Sequence, residues 1–279
     1  MELNLIWCVK TQYEVDFSFN WINEIFSEFE IKHHYDITNN FDKFIDNSII
    51  IVSVGKESNT RLIDYIKNYN DKDLKYTILH LSDEAFEQNI DFYRSSVKII
   101  RNYYNEDYVR KYNILTIPLG YQTNVKYTDN EKSVNVNFIG QLKSDRNEML
   151  INFNQIDSKF IHLTRMWNDP QGLNTEQYSE VLSKSSFTLC PRGWISLDSF
   201  RINEALECKS IPVSILDNDG SDYFEKIYGK HPFIIGKDWS DSYDKVISQN
   251  IEEKSKEVIF WWNDFKNNLK IKLKNYINE

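Results

Sequence analysis

Apolar residues along this chain come in short dense runs, separated by stretches where they recur every three or four positions. Leu3–Val9 is apolar except for Asn4, the pattern of a strand buried on both faces. Phe17–Phe29 follows with Trp21, Ile25 and Phe29 at i, i+4, i+8 and Ile22 and Phe26 beside them, which is a helical stripe. Ile31–Ile37 and Ile49–Val54 read as strands, the second ending at Gly55. Arg61–Tyr69 is a helix with Leu62, Ile63, Ile66 and Tyr69 on one side. Tyr76–Leu81 is a strand, followed by a helix through Phe86 and Phe92; Val97–Ile100 and Leu115–Pro118 are short strands around another helical piece. Strands alternating with helices through short connections imply a parallel sheet covered on both faces.

The alternation stops at Gly120–Ser133, which is polar and aperiodic, and then restarts. Val134–Ile139, Phe160–Thr164, Phe187–Cys190 and Ile211–Ile215 read as strands; Asn147–Phe153, Thr175–Lys184 and Ser199–Glu207 read as helices. From Glu252 to Ile277, apolar residues at Val258, Trp262, Phe265, Leu269, Leu273 and Tyr276 mark one long amphipathic helix. The expected organisation is a first Rossmann-like domain over 1–121, a linker over 122–133, a second domain over 134–250, and a terminal helix over 251–279 that packs back on the first domain. Two such halves facing a cleft place a ligand at the carboxyl ends of their strands.

The formal net charge of −9 over 279 residues argues against a bulk electrostatic footprint for nucleic acid. An anionic ligand then needs a local cluster of cations. The three cysteines (Cys8, Cys190, Cys208) have no CxxC spacing, which speaks against a zinc knuckle or disulfide framework and suits a reducing compartment. Leu5–Val9 is too short for a signal peptide or membrane anchor, so the expectation is a cytoplasmic protein without a membrane span.

No GxGxxG, GK[ST], HExxH or GxSxG is present. The informative stretch is Phe187–Asp217, FTLCPRGWISLDSFRINEALECKSIPVSILD. A buried strand runs into Pro191, Arg192 and Gly193, and a helix carrying Arg201 and Glu204 follows. Gly193 permits close approach of backbone to a ligand, and a helix start near Ser199 offers N–H groups and positive dipole to an anion. Arg192 and Arg201 present planar donor forks suited to phosphate. Glu204, three residues after Arg201, lies on the same helical face and can accept two hydroxyl hydrogen bonds, as a ribose offers; the plain alternative is a surface ion pair.

The stretch CPRG…SxRxxEAL…IPV resembles the nucleotide-sugar-binding segment of exostosin-type glycosyltransferases. Asn137–Arg146 (NFIGQLKSDR) resembles the strand–Gly–loop–Arg that opens that family's second domain. Arg101–Tyr104 (RNYY) and Ile117–Tyr121 (IPLGY) resemble the end of the first domain in a ribitol-xylosyltransferase-like, viral and bacterial branch. The resemblance implies the GT-B architecture and inverting transfer from a nucleoside diphosphate sugar, usually a UDP-sugar, to a glycan acceptor, with xylose suggested by the branch alone. It places Arg146, Arg192 and Arg201 around the diphosphate and Glu204 on the ribose, and it requires neither metal nor other cofactor. The family's glycine after the second-domain helix is replaced by Lys209, a residue strained at positive φ.

An inverting transfer needs a base, expected from the first domain. Asp83 and Glu84 follow a predicted strand and are the candidates, with His80 behind them; helix capping is the competing explanation. Asp217-Asn218-Asp219 mimics a metal-binding DxD but equally suits a turn, and His33-His34 lacks nearby partners in sequence. Trp7, Tyr13 and Trp167 are aromatics suited to stacking on a sugar or to packing, and packing explains Trp261 and Trp262. A non-catalytic nucleotide- or glycan-binding protein, or an epimerase of the same fold, are the alternative functions.

Overall fold

The computed structural model describes residues 2–7, 12–35, 45–53, 58–88, 90–96, 98–166 and 169–279, without the side chains of 12–16, 58–62 and 95. Cys8, Val9, Ile37, Val54, Gly55, Val97, Trp167 and the Tyr13 side chain therefore lie outside the described residues. The chain divides into two compact units, Met1–Leu119 with Asn267–Glu279, and Gly120–Lys266.

The first unit is a six-stranded parallel sheet in the order β2-β1-β3-β4-β5-β6. Its strands are β1 (Glu2–Trp7), β2 (Glu30–Tyr35), β3 (Ser48–Val52), β4 (Tyr76–His80), β5 (Ile99–Arg101) and β6 (Ile114–Thr116), and its helices are α1 (Gln12–Ile25), α2 (Ser58–Asp71) and α3 (Glu106–Lys111). β3 is buried at every position, as its SIIIV run requires. Ile6, Ile50, Ile78 and Ile99 pack with Tyr65, Ile66 and Tyr69 of α2 and with Phe92 and Tyr93. The predicted helix through Phe86 and Phe92 does not form. Ser82 and Phe86 have φ of 65° and 56°, which no right-handed helix tolerates, and only a 3-10 turn, Asp91–Ser95, follows.

The second unit is a five-stranded parallel sheet in the order β11-β10-β9-β7-β8. Its strands are β7 (Val134–Gln141), β8 (Lys159–Thr164), β9 (Ser185–Leu189), β10 (Ile211–Ile215) and β11 (Ile234–Gly236). The helices are α4 (Arg146–Asn152), α5 (Thr175–Lys184), α6 (Phe200–Glu207), α7 (Glu225–Tyr228) and α8 (Trp239–Ile247), and α9 (Ile251–Asn278) runs from this unit into the first. α5 starts where expected because Asn174 and Gln177 form a reciprocal capping box. β11, α7 and α8 are absent from the sequence expectations, although Asp238 capping the Asp241 N–H marks the start of α8. The stretch read as a linker lies along this unit. Lys126 and Thr128 donate their N–H groups to the Ser179 and Ser183 hydroxyls of α5, and Val125 is buried beside Leu182.

α9 packs within each unit by the residues belonging to it. In the second unit, the Trp262 indole and the Lys266 ammonium both donate to Glu207, at 3.0 and 2.9 Å. In the first, Lys270 pairs with Glu24, and the Tyr276 hydroxyl donates to the Asn113 carbonyl at 2.8 Å.

α6 ends in a Schellman motif, with the Ser210 N–H on the Ala205 carbonyl at 2.8 Å and the Lys209 N–H on Leu206 at 3.1 Å. Lys209 takes the left-handed position that glycine normally fills, with φ of 56°. Two contacts hold it there: its ammonium sits 3.6 Å from the Tyr127 ring centroid, and its carbonyl accepts from Lys132 at 2.9 Å.

Candidate functional site

In the second unit the chain leaves β7 to build β8 on one side and returns to build β9 on the other. β7 and β9 are neighbours, so the crossovers diverge between them and open a crevice at their carboxyl ends. The loops after β7 and β9 meet there. Arg146, Arg192, Gly193, Ser199, Arg201 and Glu204 all belong to these loops or to α4 and α6, so parallel-strand topology alone gathers them.

Arg201 lies across the end of β7. Its Nε donates to the Ile139 carbonyl at 3.0 Å, and its guanidinium carbon stands 5.5 Å from the Phe138 ring centroid. Gly140, at φ 153°, makes room, because a Cβ there would run into Arg201 Nη2. Nη1 and Nη2 of Arg201 have no hydrogen-bond partner among the described residues, which leaves four N–H donors uncommitted in the crevice. Ser199 is the N-cap of α6, and its buried hydroxyl also has no partner there. A helix start, a free hydroxyl and an uncommitted guanidinium fork make a cradle whose chemistry suits an anion.

The other two arginines are engaged. Arg146 is 2% exposed and donates to the Gln141 and Arg192 carbonyls, both at 2.7 Å, and to Gly193 at 3.4 Å. It clamps the β7 and β9 loops together. Arg192 donates to the Ile195 carbonyl at 3.0 Å and pairs with Asp217 at 3.1 Å. Gly193 donates its N–H to the Ser196 carbonyl at 2.7 Å, closing the turn between them.

Glu204 is 3% exposed, and its Oε2 accepts from the Tyr178 hydroxyl at 2.6 Å. Burial pushes its carboxyl pKa up, while the Tyr178 hydrogen bond, the charge of Arg201 and the Gln122 N–H draw it back down. The Tyr178 hydroxyl occupies one accepting position of this carboxylate. Sequence reasoning missed Tyr178, which carries no motif and is brought to Glu204 by packing of α5 on α6. It also missed Asp198, a carboxylate 1% exposed just before the N-cap of α6.

In the first unit, Asp83 does what a capping residue does. Its Oδ1 accepts the N–H groups of Glu87 and Gln88 at 3.1 and 3.3 Å, and its Oδ2 lies 3.5 Å from Arg101 Nη2. Arg101 is 1% exposed and held against the rings of Phe86 and Tyr108. His80 is buried between the Tyr93 hydroxyl and the Gln88 amide oxygen, each at 2.7 Å. Desolvation, reinforced by the Arg101 charge, lowers its pKa to about 4, so the ring is neutral at pH 7. Glu84 is half-buried, more open than Asp83.

The remaining motifs serve local structure. Asp217 and Asp219 accept N–H groups of their own turn, from Asn218 at 2.8 Å and Ser221 at 2.9 Å. His33 accepts from the Trp7 indole at 3.0 Å and bonds Asn23, and His34 bonds Asn4. Trp7 is buried, Trp261 donates to the Lys230 carbonyl, and Trp262 is buried. Among the described residues no cluster of three or more His, Cys, Asp or Glu is placed to hold a metal, and no helix is long and apolar enough to cross a membrane.

Among solved structures, an alpha1,3-fucosyltransferase is similar over 100% of this chain and 90% of its own, at 13% identity and a TM-score of 0.56. The alpha1,3-fucosyltransferase with GDP-fucose aligns over the same shares at 13% identity and a TM-score of 0.51. These likenesses, with the two parallel sheets, give the α/β fold class of GT-B type. None of the curated proteins matches the chain by sequence. Residues 118–279, more than half of the chain and including the entire β7–β9 crevice, match the model of the RXYLT1 C-terminal domain. The chain belongs to the RXYLT1 C-terminal domain family.

Proposed function

We propose that this protein is an inverting glycosyltransferase, moving a sugar from a nucleoside diphosphate sugar to a hydroxyl of a glycan acceptor. The observation that carries the reading is the cradle at the β7–β9 switch point, where Arg201 Nη1 and Nη2 and the Ser199 hydroxyl stand uncommitted beside the start of α6. A diphosphate fits that chemistry: it is dianionic, multiply hydrogen-bonding and compact. The fold shared with a fucosyltransferase solved with GDP-fucose, and the family of residues 118–279, support this class of donor. The exostosin-like pattern around Arg201 and Glu204 favours UDP as the nucleotide, and the ribitol-xylosyltransferase-like branch alone suggests xylose as the sugar.

In this reading Arg201 and the α6 N-terminus hold the diphosphate, while Arg192 stands beside it through its loop. Arg146 acts indirectly, by fixing the carbonyls of residues 141, 192 and 193. Glu204 takes the ribose hydroxyls on accepting positions that Tyr178 leaves open. The acceptor oxygen attacks the anomeric carbon as the bond from that carbon to the diphosphate oxygen breaks. The leaving diphosphate keeps the electron pair, stabilised by the guanidinium and the helix dipole. The acceptor proton passes to a carboxylate, Asp83 or Glu84, of which Glu84 is the more open. No metal is called for, since cationic side chains and the helix end supply the charge.

The test is thermal stabilisation by UDP, with GDP in parallel. The parent chain melts higher with UDP, and Arg201→Ala and Glu204→Ala each abolish the shift. Glu84→Gln keeps the shift and lowers turnover at least 100-fold, with products followed by NMR on a donor and acceptor panel. If Arg201→Ala and Glu204→Ala respond to UDP as the parent does, the donor site lies elsewhere.

A further inference from the structure

A buried carboxylate with a single phenol donated to it is an unusual pairing, and α5 and α6 build one. The Tyr178 hydroxyl donates to Glu204 Oε2 at 2.6 Å, the length of an O–H donor on an ionised carboxylate. Tyr178 is itself firmly placed. Its N–H donates to the Asn174 carbonyl at 2.9 Å, in the turn closed by the Asn174–Gln177 capping box. Ser179 and Ser183 of the same helix accept the Lys126 and Thr128 N–H groups, which tie α5 to the stretch before β7. The Tyr178 ring packs against the cluster of Val125, Ile139, Leu182 and Cys208, and the Ile139 carbonyl is the one that anchors Arg201.

Glu204 has no such rigidity of its own. A glutamate side chain turns about three bonds, and fixing one of its oxygens before a ligand arrives removes that ordering cost from binding. An ionised carboxylate offers roughly four accepting positions, and Tyr178 fills one of them.

We infer that Tyr178 is the positioning residue for Glu204: its hydroxyl holds one carboxylate oxygen and leaves the remaining accepting positions to the two vicinal hydroxyls of a ribose, so that the site selects ribonucleotides over their deoxy counterparts. This rests on the reading above that Glu204 takes the ribose. The titratable and charged groups around Glu204 are Tyr178 from α5, Arg201 from α6, Cys208 at the end of α6 and Cys190 after β9. Burial pushes both thiols up to about 12 and the Tyr178 phenol well above its usual range, so all three stay neutral at pH 7. Burial also raises the Glu204 carboxyl, and the Tyr178 hydrogen bond leads the influences that draw it back down. Without that hydroxyl Glu204 takes up its proton at a higher pH, and a protonated carboxyl accepts at fewer positions.

The experiment titrates the full chain with UDP and with 2′,3′-dideoxy-UDP by calorimetry, from about pH 5.5 to about pH 9. The two nucleotides share the diphosphate and its titration, so the ratio of their affinities reports the sugar alone. The parent prefers UDP. Tyr178→Phe keeps the ring and loses only the hydroxyl; it lowers that preference about tenfold at pH 7, through weaker UDP binding, and raises the pH at which half of the preference is lost. Glu204→Gln abolishes the preference together with its pH dependence, and adding Tyr178→Phe to it changes nothing further. An unchanged preference in Tyr178→Phe, an unmoved half-loss pH, or an equal loss for both nucleotides overturns the proposal, the last by reducing Tyr178 to packing. A parent that binds both nucleotides equally well also overturns it, by taking Glu204 off the ribose while leaving the diphosphate site intact. A parent that binds neither nucleotide is a different failure: it ends the donor reading itself, and this proposal with it.

Discussion

Gly140→Ala tests whether Arg201 is held over the end of β7 by the absence of a side chain there. Two costs follow. The backbone at φ 153° disfavours any L-residue, by about 1–3 kcal/mol. The new methyl also lies well inside contact distance of Arg201 Nη2, with Cζ at 3.4 Å, so the guanidinium must swing away and release the Ile139 carbonyl. Losing a hydrogen bond from a charged donor costs about 1.5–3 kcal/mol, toward the lower end here because Arg201 is half-buried and water replaces part of the bond. The expected total is about 2–4 kcal/mol, measured by urea denaturation of the parent, both single variants and the Gly140→Ala/Arg201→Ala double variant. In the Arg201→Ala background only the backbone cost remains, so the cycle should show a coupling of at least about 1 kcal/mol. Gly140→Ala should also lose most of its UDP response, since the displaced fork no longer faces the crevice. If Gly140→Ala costs the same with and without Arg201, the steric argument is wrong.

Two further outcomes follow from buried charge and strained backbone. His80 has a folded pKa of about 4, below its ordinary 6.5, so the unfolded chain binds more protons between those values. The stability it contributes is complete above pH 6.5 and is lost as pH falls toward 4, by up to about 3 kcal/mol. The melting temperature of His80→Gln should therefore fall less between pH 6.5 and 4.5 than that of the parent, and equal slopes would remove His80 as the cause. At Lys209, replacement by glycine relieves the left-handed φ but loses the ring contact with Tyr127, so stability changes by less than about 0.5 kcal/mol. In a Tyr127→Ala background the same change gains about 1 kcal/mol, while Lys209→Val in the parent loses about 1–2 kcal/mol; urea midpoints decide both.

What was legible in the sequence was whatever a local pattern encodes. Unbroken apolar runs such as Ile49–Val52 can only be buried strands, and the 3.6-residue stripe from Val258 to Leu273 can only be an amphipathic helix. The capping pair Asn174 and Gln177 marks the start of α5, and the alternation of strands and helices gives parallel sheets. The motif around Arg201 likewise placed a guanidinium beside a helix start, and the structure brings Arg201 and Ser199 to the crevice between β7 and β9. Tertiary structure decided which of these groups remain uncommitted. Arg146 and Arg201 look equivalent in sequence, yet one closes on three carbonyls and the other lies over a glycine with its fork open. Asp83 looked like a base, but the left-handed Ser82 and Phe86 fold its loop back so that its carboxylate meets main-chain N–H groups and Arg101. Tyr178 reached Glu204 only because two helices pack side by side. Local pattern sets where backbone hydrogen bonds and apolar faces must go; which polar atoms are left over depends on neighbours distant in sequence, and only the fold brings those together.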